Sequence, residues 1–357
     1  MRRVKKGQDT MCVESTRQAA VHNLIDALAG GEFHPDLLRE ILSFSHEAQP
    51  LLFDLARQVR DLHFPEKKVE VRSVIEISNT CVRDCRYCNM ARSLPRERYR
   101  IEPEAFERIV DSVYRRGRRV LLLQSGENPA QSFVDYVCRC VERVKARFSD
   151  LLVILCLGNL RPDQYRQLRK AGAERYILKF ETANPVLYEQ LKPHDSLTRR
   201  LACIEHLLSA GFAVGTGNIV GLPGQTLEDI AADLLLAQNY PLSMVSCTAF
   251  IPSEDSCCRD EPMGSLDLTL ATMALMRIMN PSVLMPATSS LEKAQPEGQY
   301  YGLTAGANTV TIHDGTPPEL KHLFPIYSLK RVVPNEAHLE DIVRRAGMRL
   351  SMEAFHA

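Results

Sequence analysis

The sequence predicts an α/β fold, a (β/α)8 TIM-type barrel with an N-terminal helical extension, and two observations carry that prediction. From Val71 onward, short β-branched or leucine-rich runs alternate with amphipathic helical stretches. Each run is followed by a polar or glycine-bearing turn, the pattern of a parallel sheet with helical crossovers. Eight such runs fall between residue 71 and about residue 320, close to the ~250 residues that an eightfold barrel needs. A doubly wound open sheet shares this alternation and is the competing fold.

In chain order, residues 1–70 read as the helical extension. Ala27, Leu28, Leu37, Leu38, Ile41 and Leu42 recur at helical spacing, and His34-Pro35-Asp36 supplies a helix start. Strands are predicted over 73–77, 120–124, 152–156, 175–180, 213–218, 244–250, 283–286 and 308–312. Helices are predicted between them, over 104–116, 133–146, 198–209 and 227–238. Residues 71–320 thus form the barrel, and 321–357 a helical or irregular tail. Met273, Met276 and Met279 repeat every three residues as core packing does, and Arg115-Arg116-Gly117-Arg118-Arg119 reads as a solvated helix end.

Composition narrows the function. With 44 Lys+Arg against 44 Asp+Glu the formal charge is zero, which argues against a dedicated nucleic-acid or anionic-membrane surface. The start MRRVKKGQDT is basic but lacks the apolar stretch of a secretory signal, and the longest near-apolar run, Leu151 to Leu157, is too short to span a bilayer, so a cytoplasmic location is expected. Eleven cysteines in such a chain are candidates for metal ligands, catalytic groups or small core residues rather than a disulfide framework.

Three of those cysteines lie within eight residues, in Cys81-Val-Arg-Asp-Cys85-Arg-Tyr87-Cys88, just after the first predicted strand. In a barrel, chemistry belongs where strands end and βα loops begin. Thiolates favour iron–sulfur clusters or zinc, and this loop contains no fourth cysteine or histidine to close a zinc site; His63 and His194 are the nearest histidines in sequence. Other strand ends are polar as well: Ser125-Gly126-Glu127, Gly158-Asn159, Glu181-Thr182-Ala183-Asn184, Thr216-Gly217-Asn218 and Ala287-Thr288-Ser289.

The CxxxCxxC loop resembles the signature of the radical SAM superfamily, and the chain as a whole resembles its biotin synthase-like branch, in particular the HydE group of [FeFe]-hydrogenase maturases. That resemblance runs from Val71-Arg-Ser-Val-Ile-Glu-Ile-Ser-Asn79 through Arg98-Tyr99-Arg100, Glu181-Thr182-Ala183-Asn184 and Val220 to Thr226, to Gly306-Ala307-Asn308. It implies a [4Fe–4S] cluster on Cys81, Cys85 and Cys88, with the fourth iron chelated by S-adenosylmethionine (SAM). Ser125-Gly126-Glu127 resembles the glycine-glycine-glutamate element that receives the methionine ammonium. The segment containing Asn218 and Ile219 resembles the one packed against adenine, and Tyr87, Lys179, Glu181 and Arg200 complete the implied cofactor contacts. A planar guanidinium at Arg200 suits a carboxylate.

The implied partners are a small-molecule or small iron-complex substrate, a low-potential electron donor and companion maturases. Lys179-Phe180 stands where the group commonly has Arg-His, and Gly158-Asn159 where it has Gly-Glu, so substrate contacts are expected to differ. Two other readings remain open. One is a branch enzyme acting on a small organic molecule, by sulfur insertion or carbon-skeleton rearrangement; a second cluster around Cys247, Cys257 and Cys258, with Cys156 nearby, would favour sulfur insertion. The other is a non-catalytic iron–sulfur scaffold. His313 and Asp314 follow the last strand and either orient substrate or simply form a rim turn.

Overall fold

A computed structural model describes residues 18–323 and 335–355. The basic start, Cys12 and part of the expected tail lie outside these residues. Three helices come first: α1 (18–29), α2 (Pro35–Ser43) and α3 (Gln49–His63). As its sequence predicts, α2 opens with His34 accepting the Leu37 N–H and Pro35 in the first turn, and it buries Leu37, Leu38, Ile41 and Leu42 on one face.

The barrel strands are β1 (Lys68–Ser78), β2 (Val120–Ser125), β3 (Leu152–Cys156), β4 (Arg175–Ile177), β5 (Ala213–Val220), β6 (Met244–Ala249), β7 (Pro286–Ala287) and β8 (Thr309–Ile312). All pair in parallel, in the order β6-β5-β4-β3-β2-β1-β8-β7. A bridge between Met244 and Leu284 joins the two ends, with Leu284 O accepting the Val245 N–H at 3.0 Å, so the open-sheet alternative is set aside. The crossovers are α4 (Pro103–Arg115), α5 (Gln131–Arg147), α6 (Pro162–Lys170), α7 (Pro185–Leu191), α8 (Leu197–Ser209), α9 (Leu227–Gln238), α10 (Leu266–Met279), α11 (Ser289–Ala294) and α12 (Gly298–Thr304). After a 3₁₀ turn, α13 (Glu336–Arg345) leads into β9 (Arg349–Leu350), which pairs with the start of β1.

Strand alternation sorts the residues into two cores. Outward-facing Val69, Val71, Ile75 and Ile77 of β1 join the main core under the helices, where Met273, Met276 and Met279 of α10 are buried as predicted. Inward-facing Val74, Val120, Leu122, Leu152 and Ile154 fill the barrel. Below them β1 begins five residues earlier than the sequence suggested, because its charged members are paired inside. Glu70 accepts from Arg72 Nε and Arg175 Nη1, both at 2.9 Å, and from the Phe355 N–H at 2.8 Å, so residues from beyond β9 plug the lower mouth. The arginine run also departs from expectation: Arg118 is buried and pairs with Glu336, and Arg116 reaches Asp314 at 3.3 Å.

Candidate active site

The cysteine loop leaves the top of β1 and returns to it through a Ser78–Arg100 bridge. It has no regular secondary structure, so side chains satisfy its backbone. The Arg98 guanidinium donates to Asn79 O (2.9 Å), Met90 O (3.0 Å) and Ala91 O (2.7 Å), while Asn79 donates to Glu97 O at 2.8 Å and accepts the Tyr99 N–H at 2.8 Å. Cys81, Cys85 and Cys88 line a cavity of about 250 Å3 at the C-terminal ends of β1 to β6. Burial pushes the Cys85 thiol up to about 11 and Cys88 to about 12, and raises Cys81 as well. Binding metal therefore means displacing protons from all three. Among the described residues no three His, Cys, Asp or Glu side chains converge on a single metal-ion position. A cluster would present a separate iron to each of the three thiolates.

Beside the loop, the turn after β2 is built on close backbone approach. Gly126 N donates to Ser78 O at 3.2 Å, and a Cβ on Gly126 would lie 2.5 Å from Thr80 O and 2.7 Å from Cys81 Cβ. Glu127 lines the cavity, and its carboxylate also accepts from Arg83 and from the Asn159 N–H (2.9 Å), so it ties the cysteine loop to the segment after β3. Gly158, at φ +78°, makes room for it.

Glu181, four residues beyond the end of β4, lines the same cavity as the cysteines. Its φ is 70°, in the left-handed region that non-glycine residues rarely occupy. Two bonds to β5 hold it: its N–H donates to Gly217 O (3.0 Å) and its carbonyl accepts the Ile219 N–H (2.8 Å). Burial alone would raise the Glu181 carboxyl, yet Lys179, Lys192 and Arg200 together hold it below its ordinary value. Lys179 lies 3.3 Å from Glu181 and donates to Thr248. Arg200, buried on α8, donates from Nε to the Tyr188 hydroxyl at 3.0 Å, and that hydroxyl donates to Asp195 at 2.9 Å.

The cavity thus holds four cations, Arg83, Lys179, Lys192 and Arg200, against two carboxylates, Glu127 and Glu181. Asp195, buried behind the lining, lies 3.8 Å from Arg83 and 4.0 Å from Arg200, and the positive excess that remains suits an anionic occupant such as thiolates and a ligand carboxylate. Tyr87, Ile219 and Phe250 line the cavity's apolar wall, backed by Leu187, Leu191 and Leu222.

Every residue predicted for the site lines this cavity except Asn218, whose side chain is buried on the far side of β5 and donates to Asp233 at 2.9 Å. Sequence reasoning passed over Arg83, Lys192 and Thr248; Arg83, inside the cysteine motif, was the one it had a signal for. The cysteines proposed for a second cluster are scattered: Cys247 is buried in the core under the helices, Cys258 packs in the apolar wall and Cys257 is exposed. His313 sits between Glu76 (2.9 Å) and Ser289 (3.0 Å) and is not among the residues lining the cavity.

Comparison with known proteins agrees with this geometry. Residues 75–237 match the model of the radical SAM superfamily. The chain is 35% identical over 306 residues to the [FeFe] hydrogenase maturase subunit HydE of Thermotoga maritima, covering 85% of this chain and 86% of that one. It is 28% identical to biotin synthase of Citrobacter koseri over 75% of its length and 78% of that protein's. A crystal structure of methylornithine synthase (PylB) superposes with a TM-score of 0.79 at 25% identity, over 92% of this chain and 97% of that one. Membership of this superfamily implies a [4Fe–4S] cluster and SAM. The barrel, the cysteine loop and these relatives together make the chain a member of the radical SAM superfamily and a radical SAM enzyme.

Proposed function

We propose that this chain is a HydE-like enzyme that binds a [4Fe–4S] cluster on Cys81, Cys85 and Cys88 and uses SAM to act on a small molecule or small iron complex during assembly of a hydrogenase active-site cluster. The observation that carries the reading is the cysteine loop opening onto a buried, cation-rich cavity. When bound, the reduced cluster and SAM together supply a 5′-deoxyadenosyl radical able to abstract a hydrogen atom. The chain does the rest by holding and shielding. Arg200, braced by Tyr188 and Asp195, presents a fork to the SAM carboxylate. Glu181 would pair with the ammonium, and the apolar side lined by Tyr87, Ile219 and Phe250 would offer the adenine a dry surface. Exclusion of water around the site protects a reactive primary radical.

The 35% identity to HydE supports the maturation role, with companion maturases and a low-potential electron donor as partners. The likeness to methylornithine synthase supports a second reading, rearrangement of a small organic molecule. Sulfur insertion loses support because Cys247 is packed in the core under the helices while Cys257 is exposed.

Anaerobic reconstitution with iron and sulfide, followed by SAM and a low-potential reductant, should give about four irons per chain and 5′-deoxyadenosine. Cys85→Ala should abolish both, and SAM cleavage retained in that variant would defeat the assignment. A stable cluster in the unaltered protein that never cleaves SAM would favour a scaffold. Restoration of hydrogenase activity in a maturation assay lacking only HydE separates the two enzymatic readings.

A further inference from the structure

Asp233 lies on α9 among apolar residues, fully buried and outside the cavity. Its carboxyl nevertheless joins three segments that shape the cavity. Oδ1 accepts the Ala183 N–H, two residues beyond Glu181; Oδ2 accepts from Asn218 Nδ2 of β5 at 2.9 Å and from Gln225 Nε2 at 3.3 Å. Gln225 passes the restraint on, accepting the Gly221 and Leu222 N–H groups at 2.7 and 3.3 Å and donating to Ile219 O at 3.0 Å. One side chain therefore governs the left-handed Glu181 turn, the end of β5 and the turn bearing Leu222.

All these partners are donors and none is charged; the Thr182 hydroxyl, another neutral donor, also faces the group. The titratable neighbours are Asp229 on the same helix and Cys247 on β6, neither of them cationic. Burial pushes the Asp233 carboxyl up to about 7, against the pull of Asn218 and the Ala183 N–H. Protonation turns one oxygen into a donor that the surrounding N–H groups cannot accept; the Thr182 hydroxyl can take it only by reversing its own bond to the carboxylate. The buried Asn218 Oδ1 has no hydrogen-bond partner, so it can take that proton only if its amide turns over and gives up the existing bond to Asp233.

We propose that Asp233 is a positioning residue for SAM binding: ionised, it locks the Glu181 turn, β5 and the Gly221–Gln225 turn into the receiving shape, and protonated, it releases them. The ionised fraction grows with pH, so SAM binds more tightly as pH rises through neutrality. This rests on the cavity being the SAM site.

The test is equilibrium binding of SAM to the cluster-loaded enzyme between about pH 6 and 8.5, in the unaltered protein, Asp233→Asn and Gln225→Met. The unaltered protein should tighten by about tenfold, near 1.4 kcal/mol. Asp233→Asn, a permanent mimic of the neutral acid, should stay at the weak end with unchanged iron content. Comparison with that variant removes SAM's own titration. Gln225→Met should bind weakly yet keep the pH dependence, and it tests the same chain of bonds if Asp233→Asn does not fold. At saturating SAM the cleavage rate should be little changed. Parallel pH profiles for the unaltered protein and Asp233→Asn, or loss of thermal stability alone, would overturn the role of Asp233. Cluster-loaded protein that binds no SAM at any pH would overturn the functional reading itself.

Discussion

Replacing Gly126 by alanine tests the seat of the cysteine loop without touching a ligand. The new Cβ would stand 2.5 Å from Thr80 O and 2.7 Å from Cys81 Cβ, whereas ordinary contact begins at 3.4 Å. The Thr80–Cys81 backbone must therefore retreat by roughly 0.9 Å, and main chain cannot rotate aside as a flexible side chain would. Such overpacking costs ~1–3 kcal/mol. The functional loss should be larger, because metal–ligand distances tolerate only ~0.2 Å and a ~1 Å misplacement is enough for about a 100-fold loss of rate. Thermal unfolding, iron and sulfide per chain and 5′-deoxyadenosine formation should be measured together. Gly126→Ala should fold slightly less stably, take up less than about half the iron and cleave SAM about 100-fold more slowly. Gly31→Ala is the control: its φ of +84° imposes strain, but nothing lies within 4 Å of the added carbon, so only stability should fall. Full iron uptake with SAM cleavage within about twofold in Gly126→Ala would refute the steric reasoning.

Arg200→Lys keeps the charge and loses the fork that meets Tyr188 and Asp195, so the KM for SAM in 5′-deoxyadenosine formation should rise about tenfold with iron content unchanged; an unaltered KM would remove Arg200 from the cofactor contacts. Glu70→Gln leaves Arg72 and Arg175 buried without their counter-charge and should cost ~3–5 kcal/mol in urea unfolding at neutral pH. Burial would raise the Glu70 carboxyl, but Arg72 and Arg175 more than offset it and the folded value is depressed. The stability it contributes is therefore complete above the unfolded value and disappears as pH falls through the folded one. The gap between the two proteins should close in acid, and a constant gap would contradict the ion-pair account.

The barrel was legible because its strands are apolar on both faces and its helices amphipathic, a contrast that survives single misleading residues. Errors came where tertiary pairing reverses a residue's apparent character. Glu70 and Arg72 look like solvent-facing charges and hid the first half of β1, though inside the barrel Glu70 pairs with both Arg72 and Arg175. Residues up to Phe180 read as a continuation of β4, but the strand ends at Ile177 and the chain turns left-handed at Glu181. In the site, spacing exposed the three cysteines, whereas Arg83 and Lys192 are single charges in loops and acquire meaning only when folding brings them to one cavity. Asp233 was invisible for the opposite reason. One acid on a helix suggests a solvated face, and only the packing of α9 against β5 shows it to be buried.

The position of β1 has a consequence during synthesis on the ribosome. It is bordered by β2 on one side and β8 on the other, and Glu70 must wait for Thr309, about 240 residues later, before that second border closes. At ~5–20 residues per second the nascent chain carries an open, largely apolar strand edge for roughly 10–50 s, long enough to recruit a neighbouring chain. Glu70 and Arg72, adjacent on the same face of β1, place two charges in that interval that a foreign strand would have to desolvate before docking. The ion pair buried at the lower mouth of the finished barrel is thus also a guard on the unfinished one.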